Sequence, residues 1–438
     1  MPLFIVLIGI VLLFILIAGF KLNSFISFII VCLFVGIVGG MELQSVIDSI
    51  QTGIGKTLGY LVLILGLGAM LGKLVADSGA AQRITSRLVE KFGVKHIQWA
   101  LVLTGFIVGI PMFYTVGFVI LVPLVFTVAE QTKLPLIYVG LPMLASLSVT
   151  HGFLPPHPAP TAIAEMFEAD MGKTLIYGII IAIPTIIIAG PLFTRTIKNV
   201  HATPLMEFYN PVILKDDEMP SMVISIITAL LPVILIGTST VLLMFLPEDF
   251  VLNELIAFLG NPVMAMLISV LVAIYTLGLA RGKKMKELMS SVSTAISSIT
   301  MVLLIIAGAG ALKQILTDSG VSEYIGSLLS ESSISPLILA WLIATILRIC
   351  VGSATVAGLT AAGIILPMVS TTGVSPELMV IAIGAGSLMC SHVNDGGFWM
   401  FKEYFNLSVK DTLKTWTVME TTVGILGLVG ALILNNFV

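Results

Sequence analysis

Four glycine- and proline-rich interruptions divide otherwise apolar stretches of the sequence, and each carries polar side chains. They lie at residues 109–117, 150–158, 352–355 and 391–397. Backbone that unwinds at membrane depth must be buried in protein or line a cavity. Helices that start at such breaks would bring free N–H groups together, and these groups favour an anion. The pattern therefore predicts a shared anion site, although glycine and proline could also serve only to kink or pack the helices.

Several side chains within or beside these interruptions could bind a ligand or carry a proton. Asp395 is a carboxylate within an apolar segment, which is by default a functional hypothesis, although it could simply cap a helix. Arg348 precedes the third interruption and could pair with a carboxylate of a ligand or of the protein. His151 and His392 could titrate near neutral pH or make only structural hydrogen bonds.

The composition indicates an integral membrane protein, because 58% of the residues are hydrophobic and only 10% are charged. The net charge of −3 gives no basic excess for nucleic acid. The three cysteines lack the spacing of a zinc site or a disulfide framework, so we expect no metal and no cofactor. An enzyme is the least expected class, since the apolar segments lack motifs such as HExxH or GxSxG.

The apolar segments predict an all-α protein with ten spans of about 20 residues. They are 3–20, 22–41, 57–76, 134–163, 174–194, 222–246, 254–280, 295–316, 375–401 and 415–436. Stretches 98–129 and 336–371 each resemble two helices of about 15 residues, too short to cross a core about 30 Å thick. We therefore expect two re-entrant hairpins, with the amphipathic runs 80–95 and 321–332 along the interface before them.

Loop charges predict that both termini lie outside. In that orientation almost all lysine and arginine residues of the loops are cytoplasmic, and only Lys56 and Lys173 are external. This distribution follows the positive-inside rule.

Short segments recur in the same order in the two halves. Residues 77–79 and 318–320 are both Asp-Ser-Gly, and Ser146-Leu147 with His151 returns as Ser387-Leu388 with His392. Five spans per repeat is an odd number, so the second copy must be inverted in the membrane. We expect a first repeat at 1–198, a cytoplasmic linker at 199–220 and an inverted repeat at 221–438. Inverted repeats with broken helices are typical of secondary transporters, which bind substrate at the repeat interface.

Longer motifs at the same places resemble a known family. They are His151-Gly-Phe-Leu-Pro-Pro-His-Pro158, Leu347-Arg348 with Gly352-Ser-Ala-Thr-Val-Ala357, Thr372-Gly-Val-Ser-Pro-Glu-Leu378, Ser391-His-Val-Asn-Asp395 and Gly397-Phe-Trp399. On these residues the chain resembles the gluconate:proton symporter family, a branch of the ion-transporter superfamily. The resemblance runs nearly end to end and is greater to gluconate and idonate members than to D-serine members.

The resemblance implies proton-coupled uptake of a gluconate-like anion across the bacterial inner membrane. The superfamily further implies a homodimer with an elevator-type transport domain that carries the hairpins. Transport of another hydroxy or amino acid such as D-serine or lactate, and a channel or non-transporting receptor with this fold, remain alternatives. The expected substrate-binding residues are Tyr114, Thr115, His151, Arg348, Gly352, Ser353, Thr355, His392, Asn394 and Asp395.

Position 115 departs from the family pattern. Members typically have an acidic residue in a Phe-(Phe/Tyr)-Glu-Val-Gly run, whereas this chain has Phe113-Tyr-Thr-Val-Gly117. Threonine cannot carry the proton, so we expect the chain to bind substrate but accumulate it poorly, and Thr115→Glu to restore uphill uptake. The other candidates for proton coupling are Asp395, His151, His157 and His392. Gly396, often proline in gluconate-type members, is a milder departure.

Overall fold

The computed structural model describes residues 2–197, 199–204, 214–247, 249–320 and 334–438, and every regular element in this part of the chain is helical. The α-helices are α1 Pro2–Phe14, α2 Ser24–Val38, α3 Leu43–Asp77, α4 Ala80–Phe92, α5 Ile97–Gly109, α6 Tyr114–Thr132, α7 Leu136–Phe153, α8 Pro158–Met166, α9 Met171–Ile187, α10 Met222–Phe245, α11 Asn253–Gly260, α12 Pro262–Ala273, α13 Met285–Asp318, α14 Pro336–Val351, α15 Ala354–Thr371, α16 Pro376–Leu388, α17 Gly396–Tyr404, α18 Val409–Thr412 and α19 Val418–Leu434. Turns of π-helix at Ile15–Gly19, Ile188–Leu192, Ile274–Gly278 and Leu413–Thr417 adjoin α1, α9, α12 and α19.

The helices confirm a multi-pass, all-α membrane protein but change the lengths of several expected spans. Within the described residues eight helices are long and apolar enough to cross a bilayer, or nine if a bent pair counts as one span. The stretches 3–20 and 22–41 contain shorter apolar helices than expected, and α11 is separate from α12. The orientation inferred from the loop charges stays a prediction. A cysteine introduced at position 133 should react with a membrane-impermeant thiol reagent only from the cytoplasmic side.

Both expected hairpins consist of two helices joined at the predicted interruption. In the first hairpin, α5 has 13 residues and α6 has 19, so the estimate of about 15 residues for each half was wrong. Helix α6 continues through Pro123 and is long enough to be a span by length alone. In the second hairpin, α14 has 16 residues and α15 has 18. The spans 134–163 and 375–401 are each broken, as α7 with α8 and α16 with α17.

Helices α3 and α13 form a long central pair that extends beyond the expected spans. They have 35 and 34 residues, so each is roughly 50 Å long and exceeds the hydrocarbon core. The predicted spans 57–76 and 295–316 begin after the first turns of these helices, because polar residues in those turns interrupt the apolar pattern. The pair crosses closely where Gly53 meets Gly310, since a Cβ on Gly53 would lie 2.4 Å from the Gly310 carbonyl oxygen.

The pair is antiparallel, and its two ends make reciprocal hydrogen bonds. Ser49 near the start of α3 donates to Asp318 at the end of α13 at 2.6 Å, and Ser291 near the start of α13 donates to Asp77 at the end of α3 at 2.5 Å. After each aspartate the chain turns through a glycine at positive φ, Gly79 or Gly320. An inverted repeat would produce this reciprocity, and the inverted relation of the complete halves stays a prediction.

Helix α4 corresponds to the amphipathic run 80–95. It turns by 109° into the next helix, as expected for a segment along the interface. Arg83, expected as a loop charge, is buried there and donates to Asp216 and to the Pro220 carbonyl at the end of the linker. The second amphipathic run, 321–332, and linker residues 205–213 lie outside the described residues.

Candidate functional site

The four interruptions meet around one cavity of about 490 Å³. The first residues of α6, α8, α15 and α17 all line it, so four helix N-termini converge there. Ser148 of α7, Ser298 of α13 and the segment around Trp416 complete the wall. The volume lies within the range of small-molecule sites, and converging N–H groups favour an anionic group.

The first hairpin presents an aromatic and a hydroxyl side chain to the cavity. Phe113 precedes α6, and Tyr114 and Thr115 form its first turn. The Tyr114 ring packs 5.9 Å from the His151 ring and 6.0 Å from the Trp416 ring, measured between centroids. These contacts fix the ring while the Tyr114 hydroxyl has no hydrogen-bond partner in the described protein.

The second hairpin is joined directly to the break between α16 and α17. Gly352 ends α14 with a φ of +79°, and a Cβ there would lie 2.2 Å from the Asn394 carbonyl oxygen. Asn394 in turn donates its side-chain amide to the Ile349 carbonyl at 2.7 Å. Glycine is needed at 352 for both the left-handed backbone and the close approach. The two contacts hold the hairpin tip against the break.

The buried Arg348 and the partly exposed Asp395 form an ion pair between the same two segments. The guanidinium Nη2 lies 2.5 Å from Asp395 Oδ2, and Nη1 donates to the Gly352 carbonyl. Asp395 also accepts from Ser391 and caps α17 by accepting from Gly397 N at 3.0 Å. Asp395 is thus both a helix cap and the partner of Arg348, two roles that the sequence had left open. Protonating it would leave a buried arginine charge unpaired.

Four buried polar atoms without a partner in the described protein belong to cavity-lining residues. They are Tyr114 hydroxyl, His151 Nδ1, Arg348 Nε and Glu420 Oε1. Buried polar atoms are rarely left unpaired, so this cluster is a place where a ligand or water can supply the partners. The set contains donors for a carboxylate and groups that can donate to or accept from hydroxyls.

Nine of the ten expected substrate-binding residues line this cavity, and His392 does not. His157, a candidate for proton coupling, also lies outside the cavity lining. His157 Nε2 lies 2.9 Å from the Gly109 carbonyl and ties the break after α7 to the end of α5. The sequence reasoning missed Ser148, Ser298, Trp416 and Glu420. Glu420 lies in the predicted span 415–436, and an ionisable residue in a span is the signal that could have identified it. No group of three or more His, Cys, Asp or Glu that could hold a metal occurs among the described residues.

Replacing Gly352 by alanine should disrupt the docking of the hairpin tip. The left-handed backbone and the contact with Asn394 together should destabilise the protein by roughly 2 kcal/mol or more. Thermal unfolding in detergent measures the effect. Gly396→Ala is the matched control, because a Cβ at 396 would meet nothing within 4 Å. Equal stability of the two variants would contradict the docking described here.

A family model for GntP family permeases matches residues 1–438. The chain belongs to the GntP permease family. It is 55% identical over 435 residues to the high-affinity gluconate transporter of Escherichia coli, with 99% of each chain covered. It is 52% identical over 435 residues to the Gnt-II system L-idonate transporter of the same organism, again over 99% of each chain. A gluconate permease of Bacillus licheniformis is 50% identical over the full length of both chains.

Solved structures share the fold of this GntP permease. The YdaH transporter of Alcanivorax borkumensis superposes with a TM-score of 0.65 at 15% identity, covering 94% of this chain and 98% of that one. MtrF of Neisseria gonorrhoeae gives a TM-score of 0.65 at 16% identity, covering 93% and 94%. The family and its relatives are permeases, so the protein is a membrane permease and not an enzyme.

Proposed function

We propose that this permease takes up gluconate or a closely related sugar acid together with protons across the bacterial inner membrane. The observation that carries the proposal is the convergence of four helix N-termini and four unpartnered polar atoms on one cavity. The relatives named for gluconate and L-idonate transport support the substrate class.

The cavity offers complementary groups to both parts of a sugar acid. The substrate carboxylate would take the helix N-termini and the free Nε of Arg348, which supply N–H donors. The hydroxyls would contact Tyr114, Thr115, Ser353, Thr355 and Asn394, all of which line the cavity. His151 also offers its free Nδ1. A compound with a carboxylate and a chain of hydroxyls would pair more of these atoms than lactate or D-serine.

Counterflow of labelled gluconate in proteoliposomes tests the proposal. Unlabelled gluconate and idonate should compete for entry, and D-serine and lactate should compete weakly. Stronger competition by D-serine than by gluconate would indicate that the substrate is an amino acid. A channel would equilibrate the label without accumulating it, and a receptor would give no entry.

The resemblance further predicts a homodimer that moves substrate by an elevator motion. In that arrangement the second hairpin and the second broken helix would travel together, because the Arg348–Asp395 pair and the Asn394 hydrogen bond join them. Light scattering of the detergent-solubilised protein measures the oligomeric state, and a monomer would contradict the dimer.

A further inference from the structure

Glu420 is a buried carboxylate in the cavity wall that substrate binding, as proposed above, does not use. It lies near the start of α19, directly after the π-helical turn Leu413–Thr417, and its exposed fraction is 2%. Ser148 donates to Oε2 at 2.8 Å, and Oε1 has no partner in the described protein. The group therefore has one oxygen fixed by Ser148 and one unpaired oxygen, on a side chain that lines the cavity.

Glu420 has no basic partner among the ion pairs of the described residues. The nearby guanidinium of Arg348 is paired with Asp395. The groups that act electrostatically on Glu420 come from three neighbouring segments: Arg348 on α14, Asp395 before α17 and Tyr114 on α6. An ionised carboxylate without a paired cation is expensive at membrane depth. A neutral, protonated Glu420 avoids this penalty.

The other elements packed against α19 provide no cation that pairs with Glu420 among the described residues. Helix α7 contributes Ser148 and, one turn later, His151. Helices α9 and α16 carry Lys173, Tyr177 and Glu377, and no hydrogen bond or ion pair among the described residues joins these side chains to Glu420. Of the flanking π-helical turns, Ile188–Leu192 has no titratable side chain, and Lys414 of Leu413–Thr417 makes no ion pair with Glu420.

The net charge of the cavity makes the affinity for an anionic substrate depend on the protonation of Glu420. Arg348 and Asp395 cancel, so a bound sugar-acid anion adds one negative charge and an ionised Glu420 would add a second. Two like charges in one cavity repel strongly. The anion should therefore bind at least tenfold more tightly when Glu420 is protonated. Binding of one substrate then brings one proton.

We propose that Glu420 carries the coupled proton, an inference that rests on the proposed sugar-acid transport. With the cavity open to the outside, Glu420 is protonated from water before or as the anion binds. The Oε1–H group can then donate to a substrate oxygen. After the anion leaves on the cytoplasmic side, the O–H bond breaks and the proton passes to water, so one proton and one anion have crossed.

The other candidates fit this role less well. Asp395 is held by Arg348, Ser391 and the α17 backbone, and His157 is bonded to Gly109 away from the cavity. His392 is not part of the cavity lining. His151 lines the cavity and is the remaining rival.

Uptake by proteoliposomes of the full chain, with an imposed pH gradient and no membrane potential, tests the inference. Glu420→Gln keeps an oxygen for the Ser148 hydroxyl but cannot exchange a proton. The accumulation ratio should fall from about tenfold per pH unit to about one. Gluconate counterflow should persist within about tenfold of the unmodified rate. The dissociation constant for gluconate, which should rise with pH in the unmodified protein, should become independent of pH.

Glu377→Gln is the matched control. Glu377 is also buried, and it accepts hydrogen bonds from the Asp170 backbone and Ser375 at the start of α16. This variant should accumulate gluconate like the unmodified protein. Undiminished accumulation by Glu420→Gln would overturn the inference while leaving sugar-acid transport intact. Absence of counterflow in the unmodified protein would instead contradict the proposed function.

Ser148→Ala provides a second test of the inference if Glu420→Gln does not fold. It removes the hydroxyl that donates to Glu420 but leaves the carboxyl group able to titrate. The pH midpoint of gluconate binding should move to higher pH, because a donor to the carboxylate favours its ionised form. An unchanged pH midpoint of gluconate binding in Ser148→Ala would overturn the inference. It would also be overturned if His151→Gln lost accumulation under a pH gradient while Glu420→Gln retained it.

Discussion

Arg348→Ala should abolish high-affinity gluconate binding and destabilise the protein. The substitution removes a cavity-lining guanidinium whose Nε has no partner in the described protein, and it leaves the Asp395 carboxylate without its cation. Breaking a buried pair by removing one partner is expected to destabilise by about 3 kcal/mol. Loss of a charge-assisted hydrogen bond to the substrate should weaken binding by tenfold or more.

Two further variants separate charge from geometry. Arg348→Lys keeps the positive charge but not the planar fork, so one ammonium cannot reproduce the contacts to Asp395, the Gly352 carbonyl and the substrate. We expect intermediate stability and about tenfold weaker binding. Arg87→Ala is the control, because the Arg87–Glu90 pair is solvent-exposed and should contribute less than about 1 kcal/mol. Titration calorimetry and thermal unfolding measure both quantities. Unchanged gluconate affinity in Arg348→Ala would remove Arg348 from the substrate site.

Thr115→Glu should weaken gluconate binding without improving accumulation. The sequence alone suggested the opposite, because the family resemblance implies an acid at this position and Asp395 was the only carboxylate among the expected site residues. Glu420 lines the same cavity as Thr115 and changes this expectation. A second free carboxylate about 8 Å from the substrate would repel it by about 2 kcal/mol at an effective dielectric constant near 20. That repulsion corresponds to an affinity loss on the order of 30-fold at neutral pH.

Thr115→Gln is the matched control, since it adds similar volume without charge. It should bind gluconate more tightly than Thr115→Glu at neutral pH, and the difference should shrink at low pH as the glutamate is protonated. Uptake under a pH gradient should show no gain for either variant. A several-fold rise in accumulation by Thr115→Glu would show that coupling depends on an acid in the first hairpin.

Local chemistry made most of the site predictable from sequence. Glycine and proline interruptions encode where helices end, and the four breaks did converge on one cavity. What could not be predicted depends on tertiary pairing. Arg348 and Asp395 are 47 residues apart, and nothing local indicates that they pair with each other.

Helix lengths were the weaker part of the prediction. The first turns of α3 and α13 contain residues such as Asp48, Lys56 and Glu287, which end an apolar window without ending a helix. Hydropathy therefore located the membrane-embedded part and missed the extensions.

The most direct test of the account is uptake of labelled gluconate by proteoliposomes that contain the unmodified chain. With a pH gradient of one unit, acid outside, and the membrane potential clamped at zero, coupling of one proton to one anion supports an accumulation ratio of about ten. Collapse of the gradient should release the accumulated label. The account predicts this ratio despite Thr115. Entry that stops at a ratio of about one would contradict proton coupling, and absence of gluconate entry, both under the gradient and in counterflow, would contradict sugar-acid transport.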